Sequence, residues 1–454
     1  MQHSNFYEIF RTYQAFALTK IFYSNHQTAG FEEHVLVHKD HPAIFTADHQ
    51  NALIDALNLA SSVSREFQLF FMTRSDVFGS AFDKILHGFK MRPIYRRQDN
   101  IVDVAKANEE TFNEMVTELG NGDRLLIFPE GNHGRIRRLR PLKKGFARIG
   151  FQAEEAHEFT LDLLIQPTGI NYWEHLYSGA EVLVKFGPPL RFSDYVERYQ
   201  QNPNKALIDI RKDLHAAMKQ LIHHITEQEY YDVIEFSREA AGPALMRESG
   251  EDPNDLNLRL LKEQGVIAYL ESQVDETSSD WQQFSEDARA YKVALEAANL
   301  TDSEIHSHSP SAISMYLKGG FFLLWYPIYL VGALLHAFPH AFGNRMAVKN
   351  FKDDHFHSSI RFTVPMLMYP VYWLILWLIG WAISWSLSFG FLWLGFIFIT
   401  AVFSIKYARG LKTFKRKWRW FTMTSKKKSE LKTLRSAWWS QLTKFMTSPL
   451  PTRV

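Results

Sequence analysis

Ala43-Ile44-Phe45-Thr46-Ala47-Asp48-His49-Gln50-Asn51-Ala52-Leu53-Ile54-Asp55 begins as a short apolar run, turns polar at Asp48 and continues as a helical pattern. A strand that passes into a helix through a few polar residues is the unit from which α/β domains are built. Working outward, further apolar or β-branched runs stand at 35–37, 69–72, 92–95, 123–128, 163–168 and 182–186, and helical stretches at 51–62 and 109–119. Residues 31–200 are therefore expected to form one α/β domain. In the opening stretch His49 follows the strand and Asp55 falls inside the next helix. Such a carboxylate can hold one imidazole nitrogen and leave the other to take a proton. That is two thirds of a Ser-His-Asp relay, with the hydroxyl supplied by a substrate.

With 454 residues the chain calls for two or three structural units. Zero Cys excludes disulfides, thiolate metal sites and a cysteine nucleophile. Of the 51 Lys and Arg, fourteen fall after residue 405 against one of the 49 acids, so residues 1–405 carry a net −11 behind an overall +2. A basic tail beside apolar segments points to anionic lipid headgroups rather than nucleic acid. The opening MQHSNFYEIFRTYQ has no charged start leading into an apolar run, and no signal peptide is read there. Residues 1–30 are expected to hold an amphipathic helix over about 6–23, either packed on the domain or lying in a bilayer interface.

Beyond the α/β domain, residues 201–310 read as a charged helical annex, with breaks at Gly242-Pro243 and over 251–254. Residues 311–405 hold the membrane segments. Phe362 to Ile405 is a stretch of 44 residues without a charge, which as helix covers about 66 Å, twice a ~30 Å hydrocarbon core. A hairpin of two crossings is expected there. Basic flanks on both sides, Arg345, Lys349, Lys352 and Arg361 before it and the 406–454 tail after it, put both ends on the cytoplasmic face with the catalytic domain. Residues 319–338, interrupted by Pro327, are then expected to re-enter or lie at the interface.

A second stretch carries as much chemistry: Leu126-Ile127-Phe128-Pro129-Glu130-Gly131-Asn132-His133-Gly134. Its Phe-Pro-Glu-Gly resembles the third block of the glycerophospholipid acyltransferases, the PlsC-like family. The His49 stretch is similar to that family's first block, Arg92-Pro93-Ile94-Tyr95-Arg96 to its second and Ile165-Gln166-Pro167-Thr168-Gly169 to its fourth, in the family's order; Phe186-Gly187-Pro188-Pro189 is a further similarity. The resemblance covers about residues 35–190. Two departures stand out: Asp48 precedes the His where Asn is usual, and five residues rather than four separate His49 from Asp55. That spacing, with Pro141-Leu142-Lys143 and C-terminal membrane segments, looks like the fungal-type glycerol-3-phosphate acyltransferases. Gly-Asn-His-Gly replaces the Gly-Thr-Arg usual in lysophosphatidate enzymes.

The resemblance implies a PlsC-like α/β fold and transfer of a fatty acyl group from acyl-CoA or acyl carrier protein to glycerol 3-phosphate, with lysophosphatidate as the alternative acceptor. It makes His49 the general base and Asp55 its partner, and assigns Arg96, Glu130, Gly131 and the fourth-block Pro167 to the substrate. Glu130 would repel a phosphate, so it is expected to hold Arg96 or a substrate hydroxyl. Membrane lipids, the thioester donor and a glycerol phosphate are the implied partners, without nucleic acid, metal or organic cofactor. The basic run Arg135, Arg137, Arg138, Arg140, Lys143 and Lys144 is either a solvated face or a phosphate or carrier contact. Two rivals remain: a metal site from His34, His38, His41 and His49, which strand and turn geometry would scatter, and a non-catalytic lipid-binding protein, against which the presence of both His49 and Asp55 argues. No HExxH, G-x-S-x-G, Walker loop or G-x-G-x-x-G occurs.

Overall fold

The opening stretch folds into the middle of a sheet. A computed structural model of the chain describes residues 5–65, 67–75, 78, 83–95, 103–134, 136–174, 178–306, 311–350 and 356–447. Among them eight strands form one sheet: β1 Asn25–Ala29, β2 Ala43–Ala47, β3 Leu69–Arg74, β4 Met91–Ile94, β5 Arg124–Ile127, β6 Leu164–Tyr172, β7 Glu181–Phe186 and β8 Leu190–Arg191. The order is β1-β7-β6-β2-β5-β3-β4, with β8 beside β6. Pairing is parallel except at β6–β7 and β6–β8, which are antiparallel. Parallel strands covered on both faces need continuous apolar sequence, and every residue of β2 and β6 is buried.

Helices Val104–Gly120, Gly145–Ala156 and Pro203–Lys219 contribute Met115, Leu119, Phe146, Phe151, Ile210 and Leu214 to one core with Ile44, Phe70, Leu125 and Ile165 of the sheet. The helix Asn5–Phe16 packs on the helix Leu53–Ser62. There the buried Arg11 guanidinium donates to the carbonyl oxygens of Ala60 (3.0 Å), Ser64 (2.7 Å) and Phe67 (3.1 Å), at and beyond the helix's C-terminus. A cation is well placed where helix carbonyls end unpaired. The N-terminal helix is thus packed on the domain on this side, while Ile9 and Phe16 stay exposed.

Some expectations are corrected. Residues 35–37 are a helical turn, not a strand, because Val35 follows the helix Phe31–His34 and the next three residues close a 3₁₀ turn. The edge strand there is the polar β1, ten residues earlier. The chain divides into two compact units, one comprising Met1–Ile222 with Ala347–Phe362 and the other His223–Met346 with Thr363–Val454. The helix Pro203–Lys219 thus belongs with the sheet rather than the annex.

In the second unit the helix Tyr231–Glu248 runs unbroken through Gly242-Pro243. Gly242 lies against the side chain of Glu263, where a Cβ would collide. That carboxylate is fully buried and accepts from Arg238 Nη1 (2.7 Å) and Arg259 Nε (2.8 Å), with His223 Nε2 at 2.6 Å. Within the basic tail, the helix Ser425–Thr447 buries Trp438, Leu442 and Phe445 with Trp281, Phe284 and Tyr291 of the annex helix Ser279–Ala298. Three helices among the described residues are long and apolar enough to cross a membrane: Ala312–Leu335, His357–Ser384 and Leu387–Thr422. Pro327 does not interrupt the first of them.

Candidate active site

β2 and β5 are neighbouring parallel strands, with Thr46 opposite Ile127. The residues that follow each strand therefore emerge side by side at the sheet's carboxyl edge, where α/β folds gather their ligands. His49 lies two residues past β2, and Phe128, Glu130 and Gly131 lie just past β5. The two stretches singled out in the sequence meet there.

His49 Nδ1 is 2.8 Å from Asp55 Oδ2; the imidazole is 16% exposed and the carboxylate wholly buried. A carboxylate at Nδ1 fixes the tautomer with the proton on that nitrogen and leaves Nε2 as the base. The same Oδ2 accepts from the amides of Gln50 (2.9 Å) and Asn51 (2.7 Å), while Oδ1 accepts from the Tyr172 hydroxyl (2.6 Å). Burial and the Asp55 carboxylate raise the Tyr172 phenol well above its ordinary value, so it stays a donor. Behind it Asn58 Nδ2 donates to Tyr172 (2.7 Å) and Tyr23 (3.1 Å). The His49 ring stacks on Phe128, centroids 4.2 Å apart at 16°, and meets His133 edge-on at 5.6 Å.

Glu130 is a buried bracket. Its Oε1 accepts from the His49 amide (2.9 Å), and its Oε2 from the backbone amide and guanidinium of Arg140. Arg140 in turn donates to the His49 carbonyl (2.9 Å). The carboxylate's partner is thus Arg140, and Arg96 lies outside the described residues, as does Arg135 of the basic run. Arg137 of that run is buried, and the Lys143 side chain lies against Gly131. Gly131 closes the turn with φ +72°, its amide donating to Phe128 O (3.1 Å). Positive φ is the glycine's conformational province, and it lets Glu130 turn inward.

Pro167 is buried inside β6, opposite Thr46 of β2. It falls in the gap between the β8 and β7 pairings, where a strand tolerates a missing N–H, and its carbonyl accepts from Gly187 (3.0 Å). Asp48, the departure before the histidine, is buried too. Its oxygens accept from the Ile170 amide (2.7 Å) and Gln50 Nε2 (2.7 Å), tying the end of β2 to β6. Burial and the Glu130 carboxylate push its carboxyl up to about 8, against the pull of those two donors.

Of the clustered histidines, His49 pairs with Asp55 and His41 with Asp162 (3.3 Å). Among the described residues no three His, Asp or Glu converge as a metal would require. Tyr172, Asn58, Arg140 and the ring support of Phe128 were not assigned from the sequence. Phe128 lies within the third block, and the other three carry no spacing signal.

Residues 30–171 match the family model described as Acyltransferase. The geometry and the match agree: residues 30–171 resemble an acyltransferase domain, with His49, Asp55 and Glu130 inside the matched stretch. An uncharacterized acyltransferase of Schizosaccharomyces pombe is 28% identical over 153 residues, 33% of this chain and 22% of that protein. The chain thus spans about a fifth of the length of this curated relative. The crystal structure of the 1-acyl-sn-glycerophosphate acyltransferase PlsC from Thermotoga maritima aligns with 45% of this chain and 79% of its own, at 17% identity and a TM-score of 0.30.

Proposed function

We propose that this protein transfers a fatty acyl group from acyl-CoA or acyl carrier protein to the hydroxyl of glycerol 3-phosphate. The observation that carries the reading is the His49–Asp55 pair at the carboxyl edge of β2, bracketed by Glu130 from the end of β5. His49 Nε2 takes the acceptor's hydroxyl proton as its oxygen attacks the thioester carbonyl. The tetrahedral intermediate collapses, the C–S bond breaks, and the imidazolium returns the proton to the leaving thiolate. Asp55 stabilises the transient imidazolium and is itself held by Tyr172 and two amides. The Lys143 ammonium chain beside Gly131 supports a phosphate-bearing acceptor, as does the His-x5-Asp spacing. The test is purified full-length protein given one radiolabelled thioester with glycerol 3-phosphate, dihydroxyacetone phosphate or lysophosphatidate in parallel. Turnover fastest with glycerol 3-phosphate is expected. Preference for lysophosphatidate moves the reaction one acylation later, and no turnover with any acceptor leaves a lipid-binding protein.

The same reading has two membrane crossings, His357–Ser384 and the apolar part of Leu387–Thr422, with the catalytic domain on the cytoplasmic face. Support comes from helix packing. Ala312–Leu335 runs antiparallel to Leu387–Thr422: Tyr316 meets Trp418, Tyr329 stacks on Tyr407 (4.7 Å), Gly332 faces Ser404, and His336 Nε2 lies 3.1 Å from Ile397 O. Much of Ala312–Leu335 is thus level with the stretch from Lys406 to Trp420, whose seven Lys and Arg do not belong in hydrocarbon. Ile397 is ten residues into its helix, about 15 Å, or half of a ~30 Å core. Ala312–Leu335 therefore reaches the midplane near His336 and returns through Ala337–Asn350. Parity supports the same reading: the helix Ser425–Thr447 is built into the annex core, as an even number of crossings between them would leave it.

A further inference from the structure

We infer that Ser358 and Ser359, some 300 residues downstream of the first block, are positioning residues for the catalytic loop. The inference rests on the assignment of His49 and Asp55 as the reacting pair.

The helix that carries Asp55 has no side-chain cap of its own, because Ala52 stands at its N-cap. Ala52 has φ +47° and ψ −132°, close to the first central position of a type II′ turn, which suits glycine and strains a residue with a Cβ. The turn closes through Ile54 N to Asn51 O and Asp55 N to Ala52 O, both at 3.2 Å. Those are long bonds for a conformation that opposes its own side chain. The Ser359 hydroxyl reinforces them from outside: it donates to Asn51 O (3.0 Å) and accepts from Ile54 N (3.2 Å), spanning the strained residue. Beside it the Ser358 hydroxyl bonds the Asn51 carboxamide oxygen. Asn51, Ser358 and Ser359 are all at most 2% exposed, so water has no access to take over these bonds.

The other side of the loop faces the chemistry. The amides of Gln50 and Asn51 donate to the Asp55 oxygen that holds His49 Nδ1. Asn51 therefore links the serines to the pair: its carbonyl and side chain are fixed by Ser359 and Ser358, and its amide orients the carboxylate. Two ring contacts hold the serines in register, Phe356 edge-on to His133 (4.8 Å) and Phe362 on Phe22 (5.1 Å). The serines form the first turn of His357–Ser384, a candidate crossing helix. The loop that aims the base is thus completed by the root of that helix.

The experiment compares steady-state kinetics and thermal unfolding of purified full-length Ser359→Ala, Ser358→Ala, Ser359→Ala with Ala52→Gly, and His49→Ala. Ser359→Ala is expected to lower kcat roughly ten- to hundredfold, the scale of an ångström-sized displacement of a reacting group, with the KM of donor and acceptor unchanged. Adding Ala52→Gly should restore part of kcat, because glycine holds the turn without the clamp. A wild-type kcat in Ser359→Ala overturns the inference. So does a loss that follows the fraction of folded protein, or one that Ala52→Gly fails to relieve. An inactive His49→Ala beside a fully active Ser359→Ala removes only the positioning role, whereas an active His49→Ala removes the catalytic assignment beneath it.

Discussion

At the scale of single residues, the pair His49 and Asp55 should behave as one device. His49→Ala is expected to cut acyl transfer by ~10²–10⁴-fold, the usual contribution of a general base. Asp55→Asn should also be severely impaired, and the double variant little worse than either single, since members of a relay are non-additive. Near-wild-type turnover in His49→Ala would end this reading. Asp48 makes a different prediction. Its carboxyl, buried and facing Glu130, is raised to about 8 in the folded protein from an ordinary value near 3.8. The stability it contributes is therefore fully present below the unfolded value and is lost as pH rises through about 8. Asp48→Asn should flatten that decline in the melting temperature across the same window and leave the variant more stable than the wild type at its alkaline end. An unchanged pH profile of unfolding would show that Asp48 is ionised throughout. The histidine and its aspartate were legible in the sequence because a strand, a turn and a helix set their distance locally. Tyr172 and Ser359 were not, for they reach the same loop across 117 and 305 residues of chain.

At the scale of elements, strands whose two faces are buried announced themselves as apolar runs, as β2 and β6 did. β1 did not: Asn25–Ala29 is polar because it is an edge strand that, among the described residues, pairs only with β7, and its side chains are half-buried or exposed. Gly242-Pro243 misled in the opposite direction. A proline inside a helix removes one hydrogen bond, and the tertiary packing around Tyr231–Glu248 outweighs that loss. The cluster under Gly242 yields the third prediction. Burial alone would raise the Glu263 carboxyl, but Arg238 and Arg259 outweigh it and hold it well below the usual carboxylate range. Its contribution is therefore complete above the unfolded carboxylate value and disappears only as pH falls through the depressed one. Glu263→Gln keeps the shape but removes the buried anion shared by Arg238 and Arg259, leaving Arg238 its other carboxylate, Glu235. The loss should be on the order of 3–5 kcal/mol by denaturant titration of the full chain. A loss under about 1 kcal/mol, the scale of an exposed pair, would mean that water reaches the cluster.

At the scale of the whole molecule, the path of the chain through the bilayer is open to direct test because the sequence holds no cysteine to give background. Single Ser279→Cys, Asn350→Cys, Trp385→Cys and Ser429→Cys variants in sealed, uniformly oriented vesicles can be labelled with a membrane-impermeant maleimide. Positions 279, 350 and 429 should react from one face and 385 only from the other. Reaction of 350 or 429 from the face opposite 279 would give three crossings and undo the re-entrant reading. The packing of Ser425–Thr447 into the annex also sets an order of events at the ribosome. Residues 223–306 are synthesised well before the segment that carries Trp438, Leu442 and Phe445, and the candidate crossing helices lie in between. Until then the apolar faces of Trp281, Phe284 and Tyr291 lack their cover, and such surfaces aggregate unless shielded. The annex helices are thus made with one apolar face uncovered, and their core closes only when the helix Ser425–Thr447 arrives from beyond both candidate crossing helices.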